Sequence, residues 1–206
     1  MNQKAMTCFS LMASALTLTG CLHHPPGAAP SLTPPGPSHI AIVNVGGALD
    51  AAALRAAVAE TREVLPVNLV VRELSAESQS RLIARAGALR ADEPLAALTI
   101  YLVNDPDGDD RLACAGRWAV INVRTLGVDV ADAAIRQNRA TKVVMKGVGL
   151  ACGLGGNPDP RCVMYYKSFD RDGLDGTSAS YGPYAYSVLM DTLLSLANGA
   201  LVPPEE

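Results

Sequence analysis

Residues 142–164, which read KVVMKGVGLACGLGGNPDPRCVM, combine a helical stretch, a glycine loop and a closing Cys-x-Met. The first part has the pattern of a helix, and Gly153 ends it before a tight loop that closes on Cys162-x-Met164. Two His side chains four positions apart on a helix would share one face and could hold one Zn²⁺ between them. A turn after the helix could deliver a third ligand, and a carboxylate beside the first could take a proton from zinc-bound water.

This segment resembles the zinc-protease motif of the archaemetzincins, H-E-x-x-H-x-x-G-x-x-H-C-x(4)-C-x-M. Laid on that motif without a gap, the sequence keeps Gly153, Cys162 and Met164 in register. The positions of the family's three His ligands and catalytic Glu carry other residue types, namely Lys146, Gly147, Leu150 and Gly156. An ammonium group repels Zn²⁺ and an isobutyl group has no lone pair. We therefore expect no catalytic residues, no zinc and no other cofactor at this degenerate site.

The resemblance also implies a second zinc site, which is missing at both of its ends. Its first Cys falls on Asn157, and its closing C-x-x-C falls on Gly182 and Ala185. Met164 matches the Met-turn, a tight turn whose Met packs beneath the metal without binding it. Tyr166 stands where some metzincins place a metal-assisting Tyr, and without His ligands we interpret it as a surface or groove residue.

Two features of the long helix have no obvious role in the sequence. A lysine on a helix face is usually solvated, so we expect the Lys146 side chain to reach water; the alternative is a dry groove in which the amine loses its proton. Gly147 replaces the catalytic Glu, and nothing else suggests a function for it. With Gly149 it puts two glycines inside one helix, each costing about 1 kcal/mol relative to Ala, so packing must hold the helix together.

The elements that position this segment follow from apolar runs and helical periodicity. Three strands with helices between them favour parallel pairing, with strands at 40–45, 67–74 and 95–103 and helices at 50–64 and 75–89. Residues 111–126 then supply one or two strands, Asp129 or Asp132 begins the long helix, and Pro183 begins the last one. The resemblance implies a metzincin-like α/β fold: a twisted, mostly parallel sheet with an antiparallel edge strand, a long ligand helix, a Met-turn and a C-terminal helix.

The stretch around the predicted edge strand holds two further candidates. In metzincins this strand lines the substrate cleft, so the resemblance places Trp118 near the groove, whereas Trp118 could equally cover the edge of the core. The acidic run at 104–110 (NDPDGDD) is interpreted as a solvated turn, because it lacks the Gly and the closing Glu of a calcium-binding EF-hand loop.

The N-terminus predicts export and lipidation. Residues 1–20 have the positive start and apolar stretch of a signal peptide, and Leu18-Thr19-Gly20-Cys21 resembles a bacterial lipobox in which Cys21 carries lipid such as palmitate. Residues 21–38 form a Pro-rich tether, where the pair His23 and His24 is interpreted as linker, and residues 39–206 form one domain. Leu22, rather than Asp, after the anchor indicates the outer membrane, facing the periplasm.

Three cysteines remain in the predicted mature domain: Cys114, Cys152 and Cys162. The envelope favours disulfides, and Cys152 and Cys162 flank the glycine loop, so a bridge between them is one hypothesis. Buried free thiols are the alternative.

Composition and charge restrict the function classes. A net charge of −3 gives no basic surface for nucleic acid, so the predicted partners are the membrane, through lipid, and a peptide or protein ligand. An active zinc protease needs three nitrogen ligands, and His39 is the only histidine in the domain. A different hydrolase in the same cleft could use Cys152, Lys146 or Asp159, although no His is placed as a base. We favour a catalytically inactive, archaemetzincin-like envelope lipoprotein that binds peptide or protein in the former cleft.

Overall fold

The computed structural model describes residues 39–76, 96–114 and 118–198. The predicted signal peptide, the lipobox with Cys21, the tether and most of the predicted helix at 75–89 lie outside the described residues. Among the helices that are described, none is long and apolar enough to cross a membrane.

A five-stranded sheet forms the centre of the domain. Its strands follow the apolar runs of the sequence, at β1 (His39–Val45), β2 (Asn68–Leu74), β3 (Ala96–Val103), β4 (Arg111–Cys114) and β5 (Trp118–Asn122). The spatial order is β2-β1-β3-β5-β4, with β2, β1, β3 and β5 parallel and β4 antiparallel to β5. The predicted, mostly parallel sheet is confirmed, and β3 occupies its middle position.

In the described part of the chain, four α-helices accompany the sheet: α1 (Ala51–Val64), α2 (Ala133–Ala151), α3 (Arg171–Gly176) and α4 (Pro183–Ala197). Asp50 caps α1 by accepting from the amides of Ala52 and Ala53. Of the two predicted starting residues for the long helix, Asp132 is the cap, since its carboxylate accepts from the next-turn amides. The polar residues after Asp170 form the short helix α3 because Asp170 caps it through the Gly173 amide.

The core lies mainly between one face of the sheet and the helices α1 and α2. Alternation along the strands sends Ile100 and Ile121 to that face. Their neighbours Tyr101 and Val120 point to the opposite face and join a smaller cluster. The helix α2 is therefore pressed against β3 and β5, and this contact determines which of its residues can reach the candidate site.

Candidate functional site

Three cations of α2 lie on one face of the helix, at positions 139, 142 and 146, and all three are buried. The Lys146 side chain is fully buried, so the prediction that it reaches water is wrong. Its Nζ donates to the Val163 carbonyl and to Ser168 Oγ. The amine thus joins α2 to the segment that follows Met164.

Burial changes the acid–base chemistry of this amine. It lowers the pKa of Lys146 to about 7, since the charged form loses its hydration. The nearby Cys162 thiol acts in the opposite direction, while the positive charges of Arg111 and Lys142 lower the pKa further. Near neutral pH the amine is therefore close to half protonated, and both of its forms can donate a hydrogen bond.

An aromatic ring covers the Lys146 amine. Its Nζ lies 4.7 Å from the centroid of the Phe169 ring, and the Arg111 guanidinium from β4 lies over the same ring at 4.1 Å. The Phe169 carbonyl accepts from Thr125 Oγ1 at 3.1 Å. Phe169 therefore fills the space between the cationic face of α2 and the edge strand, where cation–π attraction favours both contacts.

The other two buried cations hold α3. Lys142 Nζ donates to the carbonyls of Leu174 at 3.0 Å and Asp175 at 3.4 Å, at the negative end of the short helix. Arg139 forms a two-pronged ion pair with the Asp175 carboxylate, with Nε to Oδ1 at 2.8 Å and Nη2 to Oδ2 at 2.5 Å. This hydrogen-bonded pair holds the pKa of the Asp175 carboxyl below its usual range. Arg139 and Lys142 therefore have a structural role: they hold α3 against α2.

Gly147 has a role that the sequence did not reveal. A Cβ at this position would lie 2.5 Å from Ile100 Cγ2, so only glycine lets α2 approach β3 this closely. At Gly149 a Cβ would lie 2.6 Å from Met164 Sδ, which places the Met164 side chain directly beneath the helix. Met164 is buried, in keeping with the packing function of a Met-turn. The sequence signal for this packing is the pair of glycines inside the helix, which are costly there. They indicate that something approaches the helix closely, but not which residue does so.

Gly147→Ala is expected to destabilise the fold by about 1–3 kcal/mol, because the Ile100 side chain on a central strand has little room to move. Gly155→Ala is the matched control: a Cβ there meets nothing within 4 Å, so its effect should stay within about 0.5 kcal/mol. Denaturant unfolding of both variants measures the difference. Equal midpoints for the two variants would contradict this account of helix–sheet packing.

The loop after α2 brings the motif positions to one segment of chain. Gly153 ends the helix with a positive φ of 85°, and the amides of Gly153 and Leu154 bond back to α2. Asn157 then pairs with the following segment, since its amide donates to the Met164 carbonyl at 2.8 Å. A Cβ at Gly156 would lie 2.8 Å from Tyr166 Cβ. Positions 146 and 156 therefore both lie against residues 163–168, while Leu150 is half-buried and packs on the core.

The positions matched to the second zinc site also come together. A Cβ at Gly182 would lie 3.9 Å from both Asn157 Nδ2 and Cys162 Cβ. Cys162 Sγ accepts from the Gly182 amide at 3.3 Å and from the Met164 amide at 3.4 Å. Ala185 is buried one turn further along α4. The alignment to the motif thus picks out residues that are distant in the sequence and close together in the structure.

Cys152 and Cys162 are both free and buried, so the disulfide hypothesised between them is not formed. Cys152 ends α2, and burial raises its pKa to about 12. Cys162 is held by the two amides described above. This arrangement is the alternative of buried thiols.

The two residues assigned to the cleft lie in different surroundings. Trp118 is half-buried and packs with Tyr101 and Val120, on the sheet face opposite α2, because it alternates with Ala119 and Ile121 along β5. This packing is what cover for the edge of the core requires, and a place for Trp118 in a groove stays a prediction. Tyr166 is 51% exposed, beside Tyr165 with a ring separation of 4.9 Å, and is available at the surface.

The donor set at the helix face does not fit the zinc of the archaemetzincin type. Zinc in proteins is held by imidazole, thiolate or carboxylate groups, and positions 146, 150 and 156 supply an amine, an alkyl group and a hydrogen atom. The amine is already bonded to Val163 and Ser168. Within the described ranges, no three His, Cys, Asp or Glu side chains are grouped so that they could hold a metal ion.

Comparison with solved structures identifies the fold. The chain superposes on the archaemetzincin of Methanopyrus kandleri with a TM-score of 0.59 at 20% identity, over 79% of this chain and 99% of that one. The malonate-bound archaemetzincin of Archaeoglobus fulgidus superposes with a TM-score of 0.54 at 15% identity, over 73% of this chain and 99% of that one. A zinc-dependent peptidase of Methanocorpusculum labreanum superposes with a TM-score of 0.52 at 15% identity, over 72% of this chain and 99% of that one. No family model and no curated protein matches the sequence. The archaemetzincin-like fold predicted from the motif is confirmed.

Proposed function

We propose that this chain, whose fold is that of the archaemetzincins, is a catalytically inactive, lipid-anchored protein of the bacterial envelope that binds an extended peptide or protein segment beside β4. The observation that carries the loss of catalysis is the state of Lys146. One of the neighbours is a zinc-dependent peptidase by name, and peptide hydrolysis by such an enzyme requires a metal-activated water. In this chain the position of the first ligand holds a buried amine engaged by a carbonyl and a hydroxyl.

A hydrolase with a non-standard site is the second candidate, and one observation favours it. Lys146, with its pKa lowered to about 7, bonds Ser168 Oγ, and an amine of this kind can serve as base to a serine nucleophile. Two facts weigh against it. Ser168 is fully buried, and its hydroxyl already donates to the Tyr165 carbonyl. No substrate carbonyl can reach Ser168 in this conformation.

The other nucleophile and base candidates are weaker. Burial raises the pKa of the Cys152 thiol to about 12, so the reactive thiolate is scarce at neutral pH. Asp159 is engaged by Arg161, whose amide and side chain hold the pKa of that carboxyl below its usual range. The binding role of the domain is therefore the better supported.

The edge of the sheet offers the binding surface. The Asn122 amide donates to the Asp110 carbonyl at 2.9 Å, so this opposed pair is hydrogen-bonded and the pairs alternate from there along β4. Arg111 and Ala113 therefore direct their backbone N–H and C=O groups away from β5. An extended peptide can add to such an edge through main-chain hydrogen bonds.

The location in the cell rests on the N-terminal sequence alone. The apolar stretch, the lipobox at Cys21 and the Pro-rich tether support attachment to the outer membrane on the periplasmic side. Metabolic labelling with a palmitate analogue tests it: label should appear on the wild-type chain and disappear in Cys21→Ser.

A single set of assays tests the function on the full chain in detergent, supplied with zinc. We expect no cleavage of a mixed peptide substrate and measurable binding of extended peptides by fluorescence anisotropy. Ala113→Pro removes the outward N–H and should weaken peptide binding by about tenfold, whereas Ala113→Val keeps the N–H and should bind as the wild type does. Turnover that is lost in Lys146→Met would support the hydrolase instead, and binding unaffected by the proline would place the peptide elsewhere.

A further inference from the structure

The segment that follows the Met-turn is held by one side chain of α2. Residues 163–169, hereafter the post-turn segment, connect the Met-turn to α3. One side chain of α2, Lys146, contacts this segment at three places: the Val163 carbonyl, Ser168 Oγ and the Phe169 ring. These contacts lie up to six positions apart in the chain, so the amine gathers the segment around itself.

Each of the three partners is a group that stabilises a cation. A carbonyl and a hydroxyl present lone pairs, and an aromatic face presents negative quadrupole density. The amine donates without any carboxylate in the set. The only described carboxylate paired to this helix face is Asp175, which is bonded to Arg139. Such partners can hold the Lys146 amine in both its neutral and its charged form.

We propose that the Lys146 side chain is an internal replacement for a metal crosslink: it ties α2 to the post-turn segment, and the Phe169 ring above it closes the space between α2 and β4. A bound ion would join this helix to the following loop through ligands on both. The amine makes the same connection with a single side chain carried on the helix. This inference concerns the architecture of the site and holds whether or not the edge of β4 binds peptide.

Closure by Phe169 follows from its contacts on both sides of the space. The Arg111 guanidinium from β4 and the Lys146 amine from α2 both lie over the ring, while its backbone carbonyl is held by Thr125. A peptide added to the outer edge of β4 can contact Arg111. The position of the first ligand on α2 is covered by the chain itself, since Lys146 is fully buried there.

Local hydrogen exchange tests the crosslink on the full chain. Three amides of the post-turn segment donate to nearby backbone carbonyls: Tyr165 to Cys162, Tyr166 to Asn157 and Ser168 to Tyr165. In Lys146→Met their exchange should accelerate by about tenfold or more, because the crosslink is lost while side-chain volume is kept. In the control Lys142→Met the increase should fall instead on Thr177, whose amide bonds the Leu174 carbonyl. Unchanged protection over 165–168 in Lys146→Met, or the same loss there in both variants, would overturn the proposal.

A second measurement covers the case in which Lys146→Met does not fold. The Phe169→Ala variant keeps the Lys146 amine and removes only the aromatic ring that lies against it. Acetylation by a small water-soluble reagent, mapped by mass spectrometry, should then rise at Lys146 by about tenfold, with Lys142 of the same chain as the internal reference. Equal labelling of Lys146 with and without the Phe169 ring would show that the ring does not close the site.

Discussion

A chain that carries Asn157→Cys, Gly182→Cys and Ala185→Cys is expected to bind one Co²⁺ or Zn²⁺ through four thiolates, with Cys162 as the fourth. The structure brings positions 157, 162 and 182 together, since a Cβ at Gly182 would lie 3.9 Å from both Asn157 Nδ2 and Cys162 Cβ. Position 185 is three residues after the cap of α4. A side chain at a helix cap reaches the backbone of the third helical residue, so 182 and 185 face one side.

Local electrostatics favour thiolates at this point. The site lies at the N-terminal end of α4, where the partial positive charge of the helix stabilises anions. Two backbone amides already donate to Cys162 Sγ. The site therefore needs new ligand side chains but no change in the course of the backbone.

Cobalt titration measures the expected result, because thiolate ligation gives strong charge-transfer absorption. The triple Cys variant should bind at least about a thousandfold more tightly than the wild type, in line with the large binding energies of structural thiolate sites. The matched control replaces the same three residues with Ser. A triple Cys variant that binds no better than this control would show that the second-site register is wrong.

The wild-type chain should become more stable as the pH rises from 7 to 9, by about 2–3 kcal/mol from Lys146 alone. Unfolded, this lysine titrates near 10.5, and folded it titrates near 7. Between those values the unfolded state binds the additional proton, so removing protons favours the folded state. Above pH 9 the buried Cys152 acts in the opposite direction, because its thiol ionises only when the chain unfolds.

The comparison between the wild type and Lys146→Met isolates this contribution, since Lys142 is present in both and its pKa is also lowered by burial. The other titratable neighbours of the amine, Arg111 and Cys162, are likewise unchanged. Denaturant unfolding at pH 7, 8 and 9 should give a pH slope that is smaller in the variant by about 1 kcal/mol per pH unit. Parallel slopes for the two proteins would show that the Lys146 amine keeps an ordinary pKa.

Much of the fold could be predicted because apolar runs and caps are local signals. The β1 strand, the α1 helix capped by Asp50, and α4 starting at Pro183 all follow from short patterns. The register of the motif was also accessible, because Gly153 and Met164 are required by backbone turn and close packing rather than by the metal. Residues kept for such reasons preserve an alignment after the chemistry has changed.

The surroundings of single side chains could not be predicted in the same way. Lys146 looked like a surface lysine, since its partners Val163 and Ser168 are 17 and 22 positions away and neither belongs to a charged pattern. The place of Trp118 depends on which face of β5 meets α2, and a one-residue shift exchanges the two faces. The role of Gly147 depends on the distance between a helix and a sheet, which no local pattern encodes.

Metal analysis of the wild-type chain tests the central claim most directly. The chain, purified in detergent, would be dialysed against excess zinc, freed of loose metal and measured for bound zinc per chain. Since position 146 supplies an engaged amine and positions 150 and 156 supply no donor atoms, we expect less than about 0.1 zinc per chain. One tightly bound zinc per chain, retained after washing and lost on substitution of Lys146 or its neighbours, would contradict the claim.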